Sequence, residues 1–114
     1  MAGDNCVFCQ IISGKIPSKK EVETDTYIAI RDLHPQAPSH VLFIPKTHVA
    51  SLNEVTDFGM VAGLLEGLQK FARTHGLDRS GYRTIINTGK GGGQSVFHLH
   101  VHLLSGRPMS ESLG

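Results

Sequence analysis

Short apolar runs, broken by glycine and proline, dominate the chain, and one stretch departs from that rhythm. Between Thr56 and His75, the residues Val61, Leu64, Leu65, Leu68, Phe71 and Ala72 recur at i, i+3, i+4 and i+7, and Gly76 supplies a stop. This spacing predicts one long helix. Elsewhere the period is two. Residues 20–23 and 26–32 flank Thr24-Asp25, with Tyr27, Ala29 and Arg31 alternating against Ile28, Ile30 and Asp32, which predicts a hairpin. His40 to Lys46 read as a third strand, and residues 82–88 and 96–104 as two more, joined by Gly89-Lys90-Gly91-Gly92-Gly93-Gln94-Ser95. Near the N-terminus Asn5 is placed to cap a short helix over 6–13, which Gly14 can terminate and Pro17 cannot continue. The expected class is α+β, an antiparallel sheet of about five strands covered on one face by a long and a short helix.

Size and charge narrow this picture. The 114 residues suit one domain over 1–114, with no linker, repeat or low-complexity segment. Eleven basic against ten acidic residues leave a formal charge of +1, which gives no electrostatic footprint for nucleic acid. No segment approaches the roughly 20 apolar residues of a membrane span, and the N-terminal residues lack a signal-peptide pattern. Two cysteines two residues apart make a poor disulfide framework. The expectation is a cytoplasmic protein in a reducing compartment, without nucleic-acid or membrane partners.

The chemistry concentrates in His98-Leu99-His100-Val101-His102. In a strand, alternate side chains share a face, so the three imidazoles project together while Leu99, Val101 and Leu103 pack behind them. Imidazole can act as nucleophile, proton carrier or metal ligand near neutral pH. The glycine-rich turn delivers backbone onto the start of this row. Without Cβ atoms it can approach a ligand closely and aim N–H groups at an anion such as phosphate. Gln94 and Ser95 follow it, and Asn87 stands on the neighbouring strand.

With Leu103-Leu104 the row resembles the signature of the histidine triad (HIT) family. Ile11 to Pro17, Arg31-Asp32, Gln36-Ala37-Pro38-Ser39-His40, Ile44-Pro45-Lys46 and Gly93-Gln94-Ser95 extend the likeness over nearly the whole chain. Length, Gly81-Tyr82-Arg83 and Gly106-Arg107 resemble the histidine triad nucleotide-binding (HINT) branch. The resemblance implies a HIT-like fold, a homodimer, and a purine nucleotide substrate without an organic cofactor; on the long helix itself, Met60 or Leu64 is a second apolar position that could serve the dimer or simply the monomer core. The implied activity is a purine nucleoside phosphoramidase or nucleotidyl hydrolase acting at the α-phosphate through a covalent nucleotidyl-histidine. Diadenosine polyphosphate hydrolysis and a non-catalytic nucleotide-binding adaptor are the alternatives. His100 is the implied nucleophile, oriented by the carbonyl of His98. His102 contacts the phosphoryl oxygens, His40 supports it, and Ser95 faces the leaving group. For binding, the implied set adds Asn87, Gly93, Gln94 and Val96 around phosphate, Asp32 on the ribose, and Phe8, Ile12, Ile30 and Leu33 around the base. The tail after Gly106 lacks the tryptophan-bearing end of the animal relatives, which leaves the leaving-group preference open.

Cys6-Val7-Phe8-Cys9 departs from the metal-free members of that branch. It is similar to bacterial members in which a Cys-x-x-Cys, a distant histidine and the first histidine of the row close a zinc site. Here those ligands are Cys6, Cys9, His48 and His98, and four protein ligands make the zinc structural. Two unrelated buried thiols, or a redox pair lacking the usual preceding strand, are the other readings.

Overall fold

The computed structural model describes residues 5–113. A short helix α1 (Val7–Ile12) leads into β1 (Lys20–Glu23), β2 (Tyr27–Arg31) and β3 (Ser39–Pro45). A long helix α2 (Phe58–Thr74), a single-turn α3 (Leu77–Ser80), β4 (Arg83–Ile85) and β5 (Val101–Ser105) follow. The five strands form one antiparallel sheet in the order β1-β2-β3-β5-β4. Among the described residues no helix is long and apolar enough to cross a membrane.

The sheet is covered on both faces, which corrects the expectation of helices on one. Val41, Phe43, Ala29, Val101 and Leu103 point to one side, where Leu64, Leu68 and Phe71 of α2 close over them. Ile28, Ile30, Leu42 and Ile44 point to the other, where Phe8 and Ile11 of α1 close over them. β3 explains why two covers are required, because its side chains from His40 to Pro45 are all buried and a strand apolar on both faces needs burial on both. Leu64, a candidate dimer contact, is only 2% exposed within the α2 core and has no surface to offer a partner, whereas Leu65 beside it is 39% exposed.

Several boundaries differ from the expected ones for local reasons. Cys6, not Asn5, caps α1, its sulfur accepting from the Cys9 N–H at 3.4 Å. Asp57 starts α2 by accepting from the Met60 N–H at 3.3 Å, so the helix begins at Phe58. The last strand opens at Val101 instead of 96, because the Leu99 N–H donates to the Val49 carbonyl at 2.7 Å and the segment follows the chain leaving β3. β4 is correspondingly short, pairing Ile85 with His102 at its last rung.

Candidate functional site

The register assigns the histidines to the α1 face. His102 pairs with Leu42, and His40 lies two residues back along β3 on the same side, a diagonal that long side chains can bridge. His100 and His98 continue the alternation beyond the end of the ladder. Phe8 of α1 packs edge-on against both, with ring centroids 5.1 Å from His100 and 5.8 Å from His98. Leu99, Val101 and Leu103 are buried behind the row.

Hydrogen-bond chemistry fixes the proton on each ring, since a carbonyl can only accept and a backbone N–H can only donate. His100 Nδ1 lies 2.8 Å from the His98 carbonyl, so Nδ1 carries the proton and Nε2 keeps a free lone pair. The Gln36 N–H donates to His40 Nδ1 at 3.0 Å, which puts the His40 proton on Nε2. That proton meets His102 Nδ1 at 2.8 Å, so His102 in turn carries its proton on Nε2. Two adjacent rings, 4.9 Å apart, therefore present a lone pair and a donor. Burial pushes His102 down to about 4 and lowers His100 and His40 from the ordinary imidazole value. For His40 the Asp32 carboxylate, 3.5 Å from Nε2, pulls the other way. The rings stay neutral near pH 7.

Asp32, His40 and His102 bring three ligand-type atoms within 4.8 Å of one another. Protons already occupy this cluster. A cation on His40 Nε2 would displace the hydrogen that the Gln36 N–H holds there, so the arrangement suits proton placement better than metal binding. Asp32 also accepts from the His34 N–H at 2.8 Å and keeps its carboxylate partly open.

The residues expected around phosphate divide. Gly93 has the left-handed φ of +84° that turns the chain toward the row. Gln94 is a correction as a side-chain donor. It donates to the Ala50 carbonyl at 2.7 Å and the Val96 carbonyl at 3.0 Å, and accepts from the Gly89 N–H at 2.9 Å. Its amide is consumed in bracing the glycine loop. Ser95 is exposed and, with Val96, Cys6 and His48, lines a cavity of about 410 Å³. Asn87 Nδ2 lies 3.5 Å from His102 Nε2, and because both carry hydrogens in this proton pattern, the amide must turn its oxygen to the ring to accept the His102 Nε2–H. Phe8, Ile12 and Ile30 pack in one apolar cluster, while Leu33 stands apart from it at 90% exposure.

A second cluster gathers Cys6, Cys9, His48 and His98, whose ligand atoms also lie within 4.8 Å of one another. His98 Nε2 donates to the Pro45 carbonyl at 2.8 Å, leaving the Nδ1 lone pair to face the others. From Nδ1 it is 3.2 Å to Cys6 Sγ, 3.5 Å to Cys9 Sγ and 3.1 Å to His48 Nδ1, and Cys9 Sγ lies 3.4 Å from His48 Nδ1. A tetrahedral zinc with nitrogen and sulfur ligands requires edges of roughly 3.3–3.8 Å. The donor set fits. Burial, reinforced by Cys6, raises the Cys9 thiol to about 11, and burial pushes His98 down to about 4, so His98 would ligate as a neutral imidazole while Cys9 must release its proton to bind.

The groups that sequence reasoning missed are the backbone ones: the Gln36 N–H, the Pro45 carbonyl and the Val49 carbonyl. No side-chain pattern reports them.

Comparisons with known proteins follow the geometry. A family model described as the HIT domain matches residues 13–109. The purine nucleoside phosphoramidase of Escherichia coli strain K12 is 38% identical over 112 residues, 96% of this chain and 94% of that protein. A HIT family hydrolase from Legionella pneumophila superposes with a TM-score of 0.93 at 45% identity, covering 96% of this chain and 100% of that one. A zinc-bound histidine triad family protein from Mycobacterium smegmatis superposes at 0.84 with 36% identity, over 96% of this chain and 80% of that one.

Proposed function

The chain belongs to the HIT domain family, and from that premise we propose that it is a purine nucleoside phosphoramidase working through a nucleotidyl-His100 intermediate. The observation that carries this is the proton pattern: His100 Nε2 holds a lone pair beside a His102 Nε2–H. His100 attacks the α-phosphorus as neutral imidazole. The P–Nε2 bond forms, the bond to the leaving nitrogen breaks, and the leaving group departs as an amine after taking a proton from solvent. The positive charge now on the ring is shared with the His98 carbonyl through Nδ1–H. Water then adds to phosphorus and returns a proton to solvent, the P–Nε2 bond breaks, and neutral His100 and the nucleoside monophosphate are released. His102 Nε2–H stabilises charge on the phosphoryl oxygens, and phosphoryl transfer depends chiefly on such positioning and electrostatic help.

Asp32 supports ribose recognition because a carboxylate can accept from two hydroxyls. The backbone N–H groups of Ser95 and Val96 would hold phosphate, with the Ser95 side chain toward the leaving group, since the N–H groups of Gly93 and Gln94 already donate to the Lys90 and Gly89 carbonyls. Zinc in the Cys6-Cys9-His48-His98 cluster would be structural, with all four ligands supplied by the protein. Leu65 on α2 and the free edge of β4 are the surfaces this reading gives to a homodimer. The test is a panel of adenosine and guanosine phosphoramidates and dinucleoside polyphosphates. Quenching in alkaline denaturant, which preserves the acid-labile P–N bond, followed by mass analysis should find one nucleotidyl group on the peptide containing His100, and His100→Ala should lose both adduct and turnover while still binding nucleoside monophosphate. Full turnover by His100→Ala would sink the mechanism. Preferential cleavage of dinucleoside polyphosphates would replace the substrate.

A further inference from the structure

His102 owes its proton position to His40, and His40 owes its own to one backbone amide, that of Gln36. Gln36 lies in an exposed loop between β2 and β3 that has little core of its own. Inside the loop, Asp32 accepts from the His34 N–H at 2.8 Å and the Gln36 side chain donates to the His34 carbonyl at 3.2 Å. What reaches it from outside is the segment that follows β5. Arg107 Nη2 donates to the Gln36 carbonyl at 2.9 Å, across 71 positions of sequence. Gly106 lies against Pro38 so closely that an added Cβ would stand 2.8 Å from the Pro38 Cβ, and its φ of +101° is one that side chains rarely adopt.

The same segment is tethered at two more places. The Arg107 guanidinium also donates to the Pro108 carbonyl at 3.2 Å, which folds its side chain back along the tail. Arg83 of β4 donates to the Ser110 carbonyl. The tail is thus strapped between the far edge of the sheet and the Gln36 loop.

We propose that Arg107 is a positioning residue for the phosphoryl-transfer site, holding the Gln36 backbone by its carbonyl so that the N–H on the other side of the same Cα selects the His40 and His102 tautomers. The chain of cause runs through four hydrogen-bonding groups. The guanidinium fixes the Gln36 carbonyl, the neighbouring N–H occupies His40 Nδ1, His40 Nε2–H occupies His102 Nδ1, and His102 Nε2–H is left for the phosphoryl oxygens. Releasing the Gln36 backbone lets His40 carry its proton on Nδ1, and His102 then loses its reason to keep the proton on the reactive side. A wrong tautomer leaves the binding surfaces intact while removing the donor, so the effect falls on kcat rather than KM. The kinetic half of this inference rests on the phosphoramidase reading; the tautomer half does not.

The experiment therefore reads both. Ring-nitrogen NMR on the full, metal-loaded protein without substrate reports which nitrogen of each histidine carries the proton. Wild type should show His40 and His102 protonated at Nε2. In Arg107→Ala both rings should move toward tautomer-averaged shifts, with kcat down about 5- to 20-fold and KM within about twofold. Arg107→Lys, which keeps a donor for the Gln36 carbonyl, should restore most of both signals. Gly106→Ala, which pushes the tail off Pro38 from a second direction, should reproduce the Arg107→Ala spectrum. Unchanged His40 and His102 shifts in Arg107→Ala overturn the proposal whatever the rate does. Shifted tautomers in a protein that hydrolyses no phosphoramidate in any form leave the positioning role standing and overturn the substrate reading instead.

Discussion

Phe8→Ala separates the structural and the electrostatic work of α1. The Phe8 ring is 6% exposed and meets His100 at 5.1 Å and 80°, and His98 at 5.8 Å and 78°. Emptying a buried phenylalanine site costs about 3–5 kcal/mol, and the two edge-on ring contacts account for about 0.5–1.5 kcal/mol each of that total. A six-residue helix can settle into part of the void, so about 3 kcal/mol is the expected loss, and Tm should fall by roughly 10–15 °C. The catalytic effect has a definite sign. Burial is the first cause that lowers the His100 pKa, and removing its apolar wall admits water and raises that value toward the ordinary one. A larger share of His100 is then protonated at pH 6, and protonated imidazole cannot attack phosphorus. In kcat/KM measured from pH 5 to 9 on an adenosine phosphoramidate, the acid limb should move to higher pH in Phe8→Ala. It should stay in place in Phe8→Leu, which keeps an apolar wall. An acid limb that does not move in Phe8→Ala, despite the expected drop in Tm, would refute the claim that Phe8 keeps the nucleophile neutral.

Acid should destabilise the fold in a defined window. His102 titrates near 4 when folded and near 6.5 when unfolded, so its contribution is complete above pH 6.5 and is lost as pH falls from 6.5 through 4; chemical denaturation at pH 7.5, 6 and 5 should show falling midpoints, and a flat series would contradict the burial argument. Chelator treatment should lower Tm and speed hydrogen exchange in α1 before the rest of the sheet, while zinc uptake by the stripped protein should release protons from Cys6 and Cys9, measurable in weak buffer. Gly67→Ala should cost about 1–2 kcal/mol in urea unfolding even though alanine is the better helix former, because the new Cβ would overlap the Tyr27 ring that lies over this turn of α2; a gain in stability would mean that Tyr27 swings away freely.

The regular part of the fold was legible in the sequence because its side chains announce their periods. Leu64, Leu68 and Phe71 gave the long helix, and the alternation around Ile28 and Ile30 gave the hairpin. The placement of α1 was not legible, since a six-residue apolar helix fits either face; the doubly buried β3 decides it. The metal cluster and the His100 carbonyl contact had been anticipated through likeness to a family, and the geometry now gives each a physical basis. Gln94 read as a free donor because it follows the glycine turn, yet the carbonyls of Ala50 and Val96 consume its amide. Backbone partners such as the Gln36 N–H and the Pro45 carbonyl leave no trace in residue type, so the tautomers they set emerge only in three dimensions.

The contact between Cys6 and His98 spans 92 positions, almost the full length of the chain. In terms of chain entropy, closing a loop of that size costs about 4 kcal/mol before any contact rewards it. α1 is too short to persist alone, so it depends on two supports, the apolar patch of Ile28, Ile30, Leu42 and Ile44 nearby in sequence and the histidine row far from it. The dry wall that Phe8 gives His100 is therefore complete only when segments from near the two ends of the chain have met.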